Sequence, residues 1–163
     1  YLLAEYANVR LKMDAKDRQI IRELQKDGRL TNHELAARVN LSPSPCLRRV
    51  RNLEQQNIIK GYTALVDQKA FGHAVTAFVR VRLTQYTTEG VKAFEEAISR
   101  IEEVQDCYLM TGDCDYLLKV IVPDLEAYET LVRTRIHRIA GVASMDTGFA
   151  YGKVKQTRVY PDA

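Results

Sequence analysis

The chain has no tryptophan, four prolines and only three cysteines, and each scarcity narrows its class. Cys46, Cys107 and Cys114 form no CxxC pair and leave an odd thiol, which argues against a disulfide-stapled secreted scaffold and for a reducing, cytoplasmic compartment. No apolar run approaches the roughly 18–20 residues of a membrane span. His33, His73 and His137 fall in three separate segments without HxxxH or HExxH spacing, so no zinc motif is expected. A glycine-rich phosphate loop and a nucleophile elbow are also missing, and the positions alone propose no Ser-His-Asp set. The expectation is therefore a non-enzyme without metal or cofactor. Residues 1–12 lack the basic segment, apolar core and small-residue cleavage site of a signal peptide. Two readings remain for them: an extra helical arm, or vector-derived sequence ahead of Met13.

What is present describes an ordinary folded protein with an uneven charge. Of 163 residues, 46% are hydrophobic and 28% charged, with a net charge of +3. That total divides into +5 over residues 1–60 and −2 over residues 61–163. A basic first half fits a phosphate-binding partner.

Residues 42–56, Ser-Pro-Ser-Pro-Cys-Leu-Arg-Arg-Val-Arg-Asn-Leu-Glu-Gln-Gln, carry the strongest local signal. Ser42 is a good N-cap, and Pro43 suits a first helical turn, where its missing N–H costs no hydrogen bond. Leu47, Val50 and Leu53 predict one buried stripe. Arg48, Arg49, Arg51 and Asn52 then face solvent or a partner. Arginines and an amide on the free side of a short helix match phosphates and base edges; a merely solvated face is the alternative. Upstream, Ile20, Ile21 and Leu24 predict a helix starting at Asp17 and closing at Gly28, while Leu35, Ala36 and Val39 predict a short second helix capped by Thr31 or Asn32. Three short one-sided helices with tight turns suit a helix-turn-helix, the third in the recognition position. A three-helix protein-binding module is the competing reading. Residues 58–62 look like the start of a β wing, and Tyr62 to Val66 like a short strand.

The pattern changes at Ala74. Val75, Ala77, Val79, Val81 and Leu83 alternate as on a half-buried strand, and Val91, Phe94, Ile98 and Ile101 mark a helix. Val104 to Met110 and Asp115 to Val122 read as strands around a turn at residues 111–114. A helix burying Leu125, Tyr128, Val132 and Ile136 follows, then a long strand within Val142 to Val159. The order is β-α-β-β-α-β, a ferredoxin-like unit with helices on one face of an antiparallel sheet. Phe78, Tyr108, Met110 and Phe149 are expected to line or border the other face, a surface suited to dimerisation. The same order describes an RNA-binding RRM, but the aromatic pattern of that module is missing from the central strands.

Four stretches together resemble the Lrp/AsnC family of transcription regulators: residues 24–29 (Leu-Gln-Lys-Asp-Gly-Arg), 41–50 (Leu-Ser-Pro-Ser-Pro-Cys-Leu-Arg-Arg-Val), 61–65 (Gly-Tyr-Thr-Ala-Leu) and 111–118 (Thr-Gly-Asp-Cys-Asp-Tyr-Leu-Leu). The likeness runs from about Met13 to Arg158. Departures are Met13 and Lys16 near the first helix, Cys114 inside the Gly-Asp-x-Asp-Tyr turn, and Tyr151-Gly152 in the last strand. The resemblance implies an α+β protein: an N-terminal winged helix-turn-helix over residues 13–60, a linker with a short strand over 61–73, and a ferredoxin-like amino-acid-binding and oligomerisation domain over 74–159. It implies double-stranded DNA as partner, at a pseudo-palindromic operator, and a homodimer that assembles into tetramers or octamers. DNA contacts are expected from Ser44, Arg48, Arg49, Arg51 and Asn52, with Thr31 and Asn32 fixing the phosphate backbone.

The same resemblance implies a small effector, an L-amino acid, bound between dimers beside the turn. Met110, Thr111, Gly112, Asp113, Asp115 and Tyr116 would form its site, with Thr147 and Phe149 contributing from an adjoining dimer. Chemically, Asp113 or Asp115 would take the ammonium and N–H groups near Gly112 the carboxylate, since neither charge tolerates burial unpaired. Gly-Asp is otherwise simply a good turn sequence. A thiol or metal sensor built on Cys107 and Cys114, and an effector-independent architectural DNA binder, are the rival functions.

Overall fold

The computed structural model describes residues 13–85 and 87–161, so the arm or foreign extension expected over residues 1–12 lies outside the described residues. The described chain forms two compact units. One holds the residues up to Ala64 together with those from Lys155 onward, and the other holds Leu65–Val154.

In the first unit, α1 (Ala15–Lys26), α2 (Asn32–Arg38) and α3 (Pro43–Gln55) follow in quick succession. Asp14 caps α1 and forms a reciprocal box with Asp17, so the helix begins two residues before the expected start. It ends at Asp27, whose extended backbone stops the helix before Gly28. Thr31 caps α2 through an equivalent box with Glu34. Asn40, at φ 52°, turns the chain towards α3, as a short polar side chain tolerates. Ile20, Leu35, Ala36, Val39, Cys46 and Leu53 are the buried centre of this unit. Lys16, a departure from the family pattern, sends its ammonium to the Val39 carbonyl at the end of α2, 2.5 Å away.

The expected wing is different. After Asn57, at φ 55°, Ile58 and Ile59 turn in against the helices instead of entering a strand. Neither the strand start at 58–62 nor the strand at Tyr62–Val66 forms among the described residues. A strand needs a hydrogen-bonded neighbour, and this segment has no ladder partner among them.

The second unit is β1 (Val75–Leu83), α4 (Thr88–Ser99), β2 (Val104–Leu109), β3 (Tyr116–Val122), α5 (Leu125–Leu131) and β4 (Val142–Phe149). Its sheet is antiparallel in the order β2-β3-β1-β4, the βαββαβ arrangement expected. Alternation places Ala77, Val79, Val81, Tyr116, Leu118, Val120 and Val122 on the helix-covered face, against Phe94, Ile98, Leu131 and Ile136. The last helix departs from its predicted stripe. Leu125, the first residue of the helix, is exposed and Leu131 buried instead; the π turn at Val132–Ile136 then brings Ile136, five residues on, back to the core. The final strand stops at Phe149, well short of Val159.

The other sheet face carries Phe78, Arg80, Arg82, Tyr108 and Met110. Phe78 sits centrally on β1, 41% exposed, opposite Gly148 and Lys119. Ion pairs Arg80–Asp146 and Lys119–Asp106 flank it. Phe149 does not belong to this face. It pairs with Ala77, so its ring lies on the helix side, edge-on to Tyr128 at 5.0 Å.

Candidate functional site

The outer face of α3 is set by helical phase. Cys46, Val50 and Leu53, spaced four and three, point inward, and Cys46 and Leu53 are fully enclosed. Leu47, expected in the stripe, is therefore turned outward and is 38% exposed. It joins Ser44, Arg48, Arg49, Arg51, Asn52 and Gln55 along an open concavity. Arg48 and Arg51 have no ion-pair partner among the described residues. The Asn52 side-chain carbonyl accepts a bond from the Gln56 amide, leaving its own amide hydrogens available. Such a face offers two cations, amides and one apolar contact suited to a thymine methyl. Sequence reasoning missed Leu47 and Gln55, because a Leu47-Val50-Leu53 stripe and a Cys46-Val50-Leu53 stripe fit helical spacing equally well.

Three expected DNA contacts are otherwise occupied. One terminal nitrogen of Arg49 lies 2.6 Å from an Asp14 oxygen and 2.7 Å from an Asp17 oxygen. The Thr31 hydroxyl donates to the Glu34 carboxylate at 2.7 Å. Asn32 donates to the Pro43 carbonyl at 2.9 Å, tying α2 to the start of α3, while its own side-chain oxygen is buried without a partner.

The β2–β3 turn is the second site. Gly112 adopts φ 103°, a conformation that disfavours side chains, and an added Cβ there would meet nothing within 4 Å. Met110, Thr111 and Asp113 are exposed around it. One oxygen of the Asp115 carboxylate accepts the Leu83 N–H at 2.8 Å, where a bulge between Arg82 and Leu83 shifts the β1–β4 register. The Asp113 carboxylate accepts no hydrogen bond among the described residues, and its backbone carbonyl holds Arg82 through Nε at 2.5 Å. A free carboxylate and a guanidinium thus flank the turn, and Arg82 is a residue the motif did not reveal. Tyr116 faces away, 1% exposed, its ring tilted against Phe94 and its hydroxyl donating to Glu95 at 2.9 Å. Thr147 pairs with Val79 on the helix side and shares a 2.5 Å hydrogen bond with the Tyr128 hydroxyl, so this chain alone does not bring Thr147 or Phe149 to the turn.

Residues 13–60 match a family model described as winged helix-turn-helix DNA-binding, and residues 76–160 match the Lrp/AsnC ligand binding domain. The chain belongs to the Lrp/AsnC family. The leucine-responsive regulatory protein of Escherichia coli (strain K12) is 44% identical over 145 residues, covering 89% of this chain and 88% of that protein. Transcriptional regulator NMB0573 of Neisseria meningitidis, solved as an L-Met complex, superposes with a TM-score of 0.87 at 35% identity, covering 91% of this chain and 96% of that one. An AsnC family regulator of Agrobacterium tumefaciens gives 0.86 at 38%, covering 91% and 97%. This Lrp/AsnC chain is a DNA-binding transcription regulator with a ligand-binding domain. Its thiols differ in character. Desolvation and the nearby Glu95 carboxylate push the Cys107 thiol up to about 11, although the residue as a whole is exposed. No group of three metal-ligating side chains gathers among the described residues, and no helix of theirs is long and apolar enough to cross a membrane.

Proposed function

We propose that this regulator holds operator DNA through the outer face of α3, with Arg48 and Arg51 as principal contacts and Ser44, Leu47, Asn52 and Gln55 beside them. The observation that carries this is the pair of partner-free arginines on a helix whose opposite face is locked in the core. A dimer would present two such helices to successive major grooves and so select a pseudo-palindromic site. The test is titration of operator and scrambled DNA at several salt concentrations. Tighter operator binding with a steep salt dependence is expected, and equal, salt-insensitive binding would overturn the reading.

The effector is an L-amino acid at the β2–β3 turn, and the L-Met bound to the Neisseria relative supports that class. Asp113 would take the ammonium and the free nitrogens of Arg82 the carboxylate, a bidentate geometry that suits guanidinium. Asp115 supports the turn through Leu83. Ligand held by the folded state alone raises its melting temperature by mass action. A shift with one class of amino acid is expected, lost in both Asp113→Asn and Arg82→Met while operator binding without ligand persists. If both variants still respond, the effector sits elsewhere.

Assembly begins with a homodimer across the open sheet face and continues to tetramers or octamers, in the cytoplasm and without catalysis. Support comes from Phe78, Tyr108 and Met110, an apolar set left uncovered in one chain. Phe78→Asp would bury a charge in that contact and should give monomers by light scattering. An unchanged mass would move the interface off this face.

A further inference from the structure

We infer that Arg49 is a positioning residue for DNA recognition, a bolt whose Nη1 fixes α3 against the start of α1. This rests on α3 being the DNA-reading helix and adds a division of labour among its arginines.

The geometry is specific. In the cap of α1, each carboxylate spends one oxygen on the other residue's backbone: Asp14 Oδ1 accepts the Asp17 N–H at 2.8 Å, and Asp17 Oδ2 accepts the Asp14 N–H at 3.2 Å. The remaining oxygens, Asp14 Oδ2 and Asp17 Oδ1, both receive Arg49 Nη1. All four carboxylate oxygens are thus committed, and the two residues are 35 and 32 positions away from Arg49 in sequence. The Asp17 side chain is 15% exposed, Arg49 33% and Asp14 53%, so the Asp17 arm is the shielded one. The backbone bond from Asp17, and then Arg49, hold the Asp14 carboxyl below its ordinary value.

The consequence follows from where α3's freedom lies. Its inner stripe of Cys46, Val50 and Leu53 consists of non-directional contacts, and the Asn32 bond to the Pro43 carbonyl holds only its first turn. A charge-assisted bond to a capped helix end is directional. It fixes the azimuth at which Arg48 and Arg51 leave the helix. A small error there misplaces base contacts while leaving phosphate attraction nearly intact, because base readout depends on bidentate geometry and phosphate attraction on charge alone. Arg49 therefore governs discrimination more than affinity.

The experiment measures Kd for operator and scrambled DNA across a salt series, for wild type, Arg49→Met, Asp14→Asn/Asp17→Asn and the triple variant. Asparagine still caps a helix, so the second variant keeps the box and loses the charge. Arg49→Met and Asp14→Asn/Asp17→Asn should each reduce the operator-to-scrambled ratio by about tenfold, the scale of one mismatched base pair. The triple variant should be no worse than either, because all break one bolt. The salt slope on scrambled DNA should not fall in Arg49→Met. Three results would overturn the proposal: a slope that falls by about one on every sequence, the mark of a phosphate contact; losses that add in the triple variant; or an unchanged ratio. If Arg49→Met fails to fold, Asp14→Asn/Asp17→Asn alone decides, by whether the ratio falls.

Discussion

Arg48→Ala is expected to weaken operator binding by about 1–3 kcal/mol, with the loss concentrated at one base position if the side chain reads a guanine. Arg48 projects from the outer face of α3 with no ion-pair partner among the described residues, so its removal breaks nothing inside the unit. Binding to operators with single base changes checks this. A guanine reader loses its preference at one position and keeps the rest. A phosphate contact loses affinity equally on every sequence, with a salt slope lower by about one. Unchanged binding would remove Arg48 from the interface. Arg51→Ala run in parallel says which of the two reads sequence.

Phe94→Ala is the second large effect, this time on stability. Phe94 is fully buried between α4 and the sheet, its ring centroid 4.6 Å from that of Tyr116 at a tilted angle. Truncation leaves a cavity in a core that relaxes only partly, at a cost of about 3–5 kcal/mol. The lost aromatic contact is part of that sum. Since domain stabilities are about 5–15 kcal/mol, denaturant unfolding of the variant should show a large fraction of the total gone. The same opening would free Tyr116 at the base of the turn, so ligand-induced thermal shifts should weaken as well. A cost below about 1 kcal/mol would mean that neighbouring side chains collapse into the space.

Much of this architecture was readable from periodicity. The helices of the first unit, the four strands and their order follow from apolar spacing alone, because each element is buried on one side only. Misreadings arose where phase or partner had to be known. On α3, Leu47 and Cys46 fit a stripe with Val50 and Leu53 equally well by spacing; Cys46 is the one enclosed, and Leu47 lies at the surface. The family resemblance assigns Tyr116 to the turn site, while strand alternation with Leu118 puts its side chain inside. The Asp14–Arg49–Asp17 bolt joins residues more than thirty apart, a distance at which no local pattern speaks. Arg82 was hidden for the same reason, since only strand pairing brings it to Asp113. The π turn after Leu131 has no signature in composition, and the missing wing strand reflects a ladder partner that the described chain does not supply.

The enclosure of Cys46 has a kinetic side. Packed at 0% exposure among Ile20, Val39 and Leu53, and with its thiol pushed up by burial, it is shielded from any reagent while the helices stay closed. A modifying reagent reaches it only when α3 swings clear of its neighbours. In a background of Cys107→Ser and Cys114→Ser, its alkylation rate then becomes a clock for the opening of the DNA-reading unit. DNA that clamps the outer face of α3 would slow that clock without ever touching the sulfur.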